Sequence, residues 1–163
     1  MMFDRLMLLL AWVAALLFVA AGCMLTYEVI ARYFFIRPTI WAAELSQLCL
    51  IWGSLMGMPW ALAARRHISV DAITRLCPPL VQRGLEVIAM TAILAFSVMV
   101  TIKGWDIFFE SFERGRTTGT MLDLPSWVAE LPVAIGFALL AVQAMIEIVG
   151  LLRGKEIPKG AHE

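Results

Sequence analysis

The chain has 163 residues, 61% of them hydrophobic and 16% charged, with 13 Lys plus Arg balanced by 13 Asp plus Glu. A soluble domain carries roughly 25% charged residues, and a chain this small has too much surface to hide so many apolar side chains from water. Its solvent is therefore expected to be lipid, and the zero net charge gives no basic field for nucleic acid.

Four stretches lack Asp, Glu, Lys and Arg: 6–27, 45–64, 87–102 and 131–146. The first two meet the requirement of about 20 apolar residues for crossing a hydrocarbon core about 30 Å thick. The last two extend as helix past a charge that can snorkel. They are continuous apolar blocks without period-2 alternation, so helices are expected and strands are not. The expected architecture is an all-α integral membrane protein, one domain over 1–163, with four spans at about 6–28, 41–64, 80–109 and 127–152.

In the first span, Ala20-Ala21-Gly22-Cys23 faintly resembles a processing site. The apolar run exceeds a signal-peptide core and continues past Cys23, so an uncleaved helix is expected. The second span opens on Trp41-Ala42-Ala43-Glu44-Leu45-Ser46-Gln47. At about 100° per residue, Glu44, Gln47 and Ser54 share one face. Glu44 could mark an ion site; alternatively it sits at headgroup depth by the helix start and pairs with Arg32 or a neighbouring subunit. The same helix carries Gly53 and Gly57 in a GxxxG pattern, which Cys49 and Ala61 extend into a ridge of small residues. Such a ridge admits close helix contact, with another helix of this chain or with a partner protein. Pro59 is expected to bend the helix without ending it.

After Arg65 and Arg66, residues 67–76 place Ile68, Ala72, Ile73 and Leu76 on one face and pair Asp71 with Arg75, which reads as a short interfacial helix. Pro78 and Pro79 end it. The third helix carries Lys103, Asp106, Glu110 and Glu113 along one stripe, which must meet water or a polar partner. A helix reaching Arg114 from Leu80 would be about 52 Å long, so it must tilt or protrude. A turn-rich segment follows, and Leu124-Pro125-Ser126-Trp127 suits the opening of the fourth helix. Trp41, Trp60, Trp105 and Trp127 near span ends read as interfacial anchors.

Four spans place Arg5, Arg65, Arg66, Arg75, Arg83, Arg153, Lys155 and Lys159 on one side, against Arg32, Arg37, Lys103, Arg114 and Arg116 on the other. This asymmetry puts both termini, including the tail 153–163, in the cytoplasm. Cys23, Cys49 and Cys77 form no disulfide or zinc pattern. The two histidines, His67 and His162, do not make a haem pair. No nucleophile with its base and no phosphate-binding loop is present, so an enzyme is not expected and no cofactor is expected.

The sequence resembles the small membrane subunit of tripartite ATP-independent periplasmic (TRAP) transporters. The matching residues are Arg32-Tyr33, Trp41-Ala42-Ala43-Glu44-Leu45, Gly57 and Ala61, Arg66-His67-Ile68-Ser69-Val70-Asp71, and Leu124-Pro125-Ser126-Trp127 with Leu131-Pro132 and Gly136. The resemblance covers about residues 28–136. It implies a bacterial inner-membrane protein working with a large permease subunit that carries the sodium and substrate sites, and with a periplasmic substrate-binding protein that delivers an organic acid. The small subunit would scaffold and anchor the large one among membrane lipids. The alternative is a self-sufficient proton-coupled four-helix exporter, a homodimer with Glu44 as its coupling carboxylate. The length, the interfacial helix and the position of Glu44 at a span end weigh against it.

Overall fold

The computed structural model describes residues 2–37, 39–63, 79–120 and 122–153. They form four α-helices: α1 (Met2–Phe34), α2 (Ile40–Ala63), α3 (Pro79–Glu113) and α4 (Trp127–Leu152). All four are long and apolar enough to cross a membrane. The anticipated interfacial helix at 67–76, with Arg66, His67 and Asp71, lies outside the described residues, as does most of the tail.

The helices overrun several of the expected span limits because a charge at a span end does not break a helix. Arg32 pairs with Glu28 one turn earlier, which carries α1 on to Phe34. Ile36 then takes φ 53° while the Ala31 carbonyl accepts the amides of Phe35 and Arg37. α3 starts on Pro79, whose fixed φ and missing N–H suit a first helical position. It ends where Gly115 adopts φ 58° and the Arg116 amide returns to the Ser111 carbonyl at 3.1 Å. α2 and α4 continue through Pro59 and Pro132, both buried.

The extensive helix contacts are α1 with α2, α2 with α4, and α4 with α3, so the helices stand in a row in the order α1, α2, α4, α3. In the first seam Tyr27 stacks on Trp41 while Gly57 lies by Ala14, which makes α1 and α2 antiparallel. In the last, Phe112 meets Trp127 and Phe96 meets Phe137, so α3 and α4 are antiparallel too. The middle seam is parallel: Trp52 reaches Val128 and Leu55 touches Gly136. A row buries little. Within the chain, 28% of the apolar window of α2 or α4 is buried, 17% of that of α1 and 6% of that of α3.

The seams are built from small residues, as expected where lipid gives no hydrophobic drive between helices. Ser97, Gly104 and Ser111 are the buried positions of α3 and recur every seven residues. A Cβ at Gly104 would stand 3.5 Å from the Ala134 backbone. At Gly136 it would stand 2.9 Å from the carbonyl oxygen of Leu55, so only glycine fits that crossing.

Candidate partner interface

Glu44 sits in the second turn of α2, where α1 ends and α4 begins. The connection from α3 to α4 folds over it as a short hairpin: the Thr118 amide donates to the Leu124 carbonyl at 2.8 Å, and the Ser126 amide to the Arg116 carbonyl at 3.0 Å. Thr117 and Pro125 form an antiparallel bridge between these bonds. Gly119 (φ 63°) and Asp123 (φ 49°) supply the left-handed turns. Thr120 at the tip donates its hydroxyl to Glu44 Oε2 at 2.8 Å, and the Leu122 amide reaches Glu44 Oε1 at 3.5 Å. Glu44 thus fastens the start of α2 to a loop 76 residues further on. Arg32 is spent on Glu28, which is buried at 6% exposure, and does not meet Glu44.

Gln47 and Ser54 are exposed on α2, and the Ser54 hydroxyl turns back to its own helix at Ile51. Gly53 and Gly57 face α1: a Cβ at Gly53 would stand 3.3 Å from the Ala14 carbonyl oxygen, and one at Gly57 3.5 Å from the Ala14 Cβ. The ridge is therefore occupied from within the chain. Ala61 lines an apolar groove between α2, α3 and α4. Trp127 stands edge-on to Phe108 and Phe112. On α3, Lys103 pairs with Asp106, and Glu110 with Arg114 and Arg116, all substantially exposed.

Three features escaped the sequence reading. Trp52 donates its indole N–H to the Val128 carbonyl at 3.0 Å. Gln143 donates to Glu147 at 3.2 Å in a buried pair on α4. Buried Glu28 was hidden within a span-end charge pattern. The α3 seam also went unread, although the seven-residue spacing of Ser97, Gly104 and Ser111 is a sequence signal for it. Among the described residues no three His, Cys, Asp or Glu side chains gather as metal ligands.

Four helices in a single row, each long and apolar enough to cross a membrane, with a half-buried carboxylate fastened to a loop, define a multi-pass membrane component. Residues 21–154 match the family model of the DctQ component of tripartite ATP-independent periplasmic transporters, and the chain belongs to that family. It is a transporter subunit and not an enzyme.

It is similar to the C4-dicarboxylate TRAP transporter small permease protein DctQ of Vibrio cholerae, at 28% identity over 66% of this chain and 47% of that protein. The protein of the same description from Pseudomonas aeruginosa is 25% identical over 74% of this chain and 58% of its own length. The isethionate TRAP transporter permease protein DctMQ of Oleidesulfovibrio alaskensis is 24% identical over 89% of this chain and 23% of that protein. The chain thus spans about half the length of the small permeases it matches.

Proposed function

We propose that this chain scaffolds and anchors the large membrane subunit of a sodium-driven importer of an organic acid, and has no complete substrate site of its own. The observation that carries this reading is the row of helices. A single layer has no interior through which a solute could pass, and each face of the layer needs lipid or another protein against it. The match of 89% of this chain to 23% of one longer permease protein supports a large partner, because there a segment like this one is part of the same polypeptide. The names of the relatives, which specify C4-dicarboxylate and isethionate, support a small organic anion as cargo.

In this reading sodium coupling resides in the large subunit, a periplasmic protein delivers the cargo, and both termini face the cytoplasm. The partner meets the outward faces: Ala61 on α2, and the stripe of Asp106, Glu110 and Glu113 on α3. Gly53 and Gly57 serve the internal seam, and Trp41, Pro125 and Trp127 set depth and loop geometry.

The test is reconstitution in liposomes under a sodium gradient. Uptake of a labelled C4-dicarboxylate or sulfonate is expected only when this chain, its large subunit and a binding protein are all present. Coupled flux through this chain alone, abolished by Glu44→Gln, would overturn the proposal.

A further inference from the structure

Beneath the hairpin that Glu44 fastens lies an open pocket of about 210 Å³. Its polar lining is Glu44, Gln47, Thr118 and Thr120; its apolar lining is Leu48, Ile51 and Ala129 on the helices, with Leu124 and Pro125 of the hairpin. Glu44, Leu48 and Ile51 follow one another at helical spacing down one face of α2. Along α2 the lining therefore passes from a carboxylate to hydrocarbon in the direction in which a bilayer does.

Among the described residues no cation is paired with this carboxylate. Arg32 is held by Glu28, Lys103 by Asp106, and Arg114 and Arg116 by Glu110. Arg37 does not line the pocket. The hydrogen bonds Glu44 accepts come from two neutral donors, and the Leu122 amide at 3.5 Å stands at the limit of a hydrogen bond, which leaves Oε1 with open acceptor capacity. A carboxylate at the membrane edge gains most from a cationic hydrogen-bond donor.

We infer that this pocket binds the primary ammonium of an aminophospholipid, phosphatidylethanolamine, at the membrane surface where α1 ends. An ammonium has three N–H donors. Glu44 Oε1, the Gln47 amide oxygen and the Thr118 hydroxyl offer three acceptors around one small volume. The two-carbon stem and the glycerol behind it then descend over Leu48, Ile51 and Ala129. Choline carries the same charge with no N–H, so the site distinguishes the two headgroups. A lysine from a partner subunit presents the same ammonium, but it would come from the side and would have no use for an apolar floor that runs down into the bilayer.

The experiment uses the full-length chain alone, in nanodiscs of phosphatidylethanolamine or phosphatidylcholine with matched acyl chains, so it does not depend on the transport reading. Native mass spectrometry counts retained lipid, and hydrogen exchange follows the amides of residues 117–124. The wild-type chain is expected to retain phosphatidylethanolamine about tenfold over phosphatidylcholine, the size of a charge-assisted hydrogen bond, and to exchange more slowly in it. Glu44→Gln keeps an acceptor for Thr120 but removes the charge, and should abolish the preference with helix content unchanged. Leu48→Lys supplies an ammonium from the next turn and should abolish the preference while keeping the hairpin protected.

Equal retention of the two lipids by the wild type would overturn the inference and return the carboxylate to a partner's lysine. A preference that survives both substitutions would place the lipid elsewhere and overturn it as well. Protection in phosphatidylcholine restored by free ethanolamine would overturn the lipid assignment, since the apolar floor would then have no share.

Discussion

The carbonyl of Val128 accepts the indole N–H of Trp52 at 3.0 Å, and its own helix cannot satisfy it, because the residue four positions on is Pro132. The seam has a mirror of this arrangement. Pro59 frees the Leu55 carbonyl in α2, and that oxygen lies 2.9 Å from where a Cβ of Gly136 would stand, so a Cα hydrogen of the glycine points toward it. Each proline thus releases an acceptor into the α2–α4 seam, and the facing helix supplies the donor. In hydrocarbon an unmet carbonyl is costly, so the prolines make the seam specific as well as close.

Trp52→Phe should therefore destabilise the chain by about 1–2 kcal/mol in unfolding from detergent micelles, since a buried acceptor is left unmet. In a Pro132→Ala background, where residue 132 regains an N–H for Val128, the same substitution should cost less than about 0.5 kcal/mol. A double-mutant cycle measures the difference. Equal costs in both backgrounds would assign the loss to packing of the indole ring.

Gly136, Gly53 and Gly57 should rank by the space beside them. Gly136→Ala places a methyl 2.9 Å from backbone and side-chain atoms of Leu55 that cannot rotate away, and should cost about 1–3 kcal/mol. Gly53→Ala, at 3.3–3.4 Å, should cost less, and Gly57→Ala, at 3.5 Å, should be tolerated. Thermal unfolding of the three variants in one detergent gives the order. Gly57→Leu is expected to lower the stability of the isolated chain, as internal packing requires.

Glu44→Ala should free the hairpin. Exchange at Leu122 and Thr120 is expected to quicken about tenfold, the equivalent of one charge-assisted hydrogen bond. The helices should keep their protection, because the seams do not pass through this carboxylate. Uniform loss of protection would show that the clasp stabilises the whole row.

Single cysteines at Thr118 and Lys159 should label from opposite sides of the membrane, with Lys159 on the cytoplasmic side, as the excess of Lys and Arg there requires. Labelling from the same side would exclude four spans.

Much of the architecture was legible because it depends on runs without charge. The four helices follow from stretches such as 6–27 and 45–64 that no short-range signal contradicts. The order of the helices in the row was not legible, since a GxxxG pattern specifies a close neighbour without naming it. Gly53 and Gly57 fit α1 as well as they would fit a partner. The partner of Glu44 was hidden by distance along the chain, and the nearer cation, Arg32, was already taken by Glu28. The role of Trp52 could be found only by asking which carbonyl Pro132 deprives and which donor lies opposite.

The row also has a mechanical character. It joins two helical pairs along one seam, and the contacts described at that joint, from Trp52 and Leu55, fall near the middle of α2, with the Glu44 clasp beyond them where α2 begins. Toward the other end, Met58, Ala61 and Leu62 of α2 and Ala92 and Phe96 of α3 line the apolar groove, with Phe137 and Leu140 of α4 between them. The two pairs are thus pinned like the leaves of a book at one corner of the spine. Lateral stress from the surrounding bilayer would be taken up by splaying at the opposite corner, leaving the pinned hairpin still while the far ends of the helices shift.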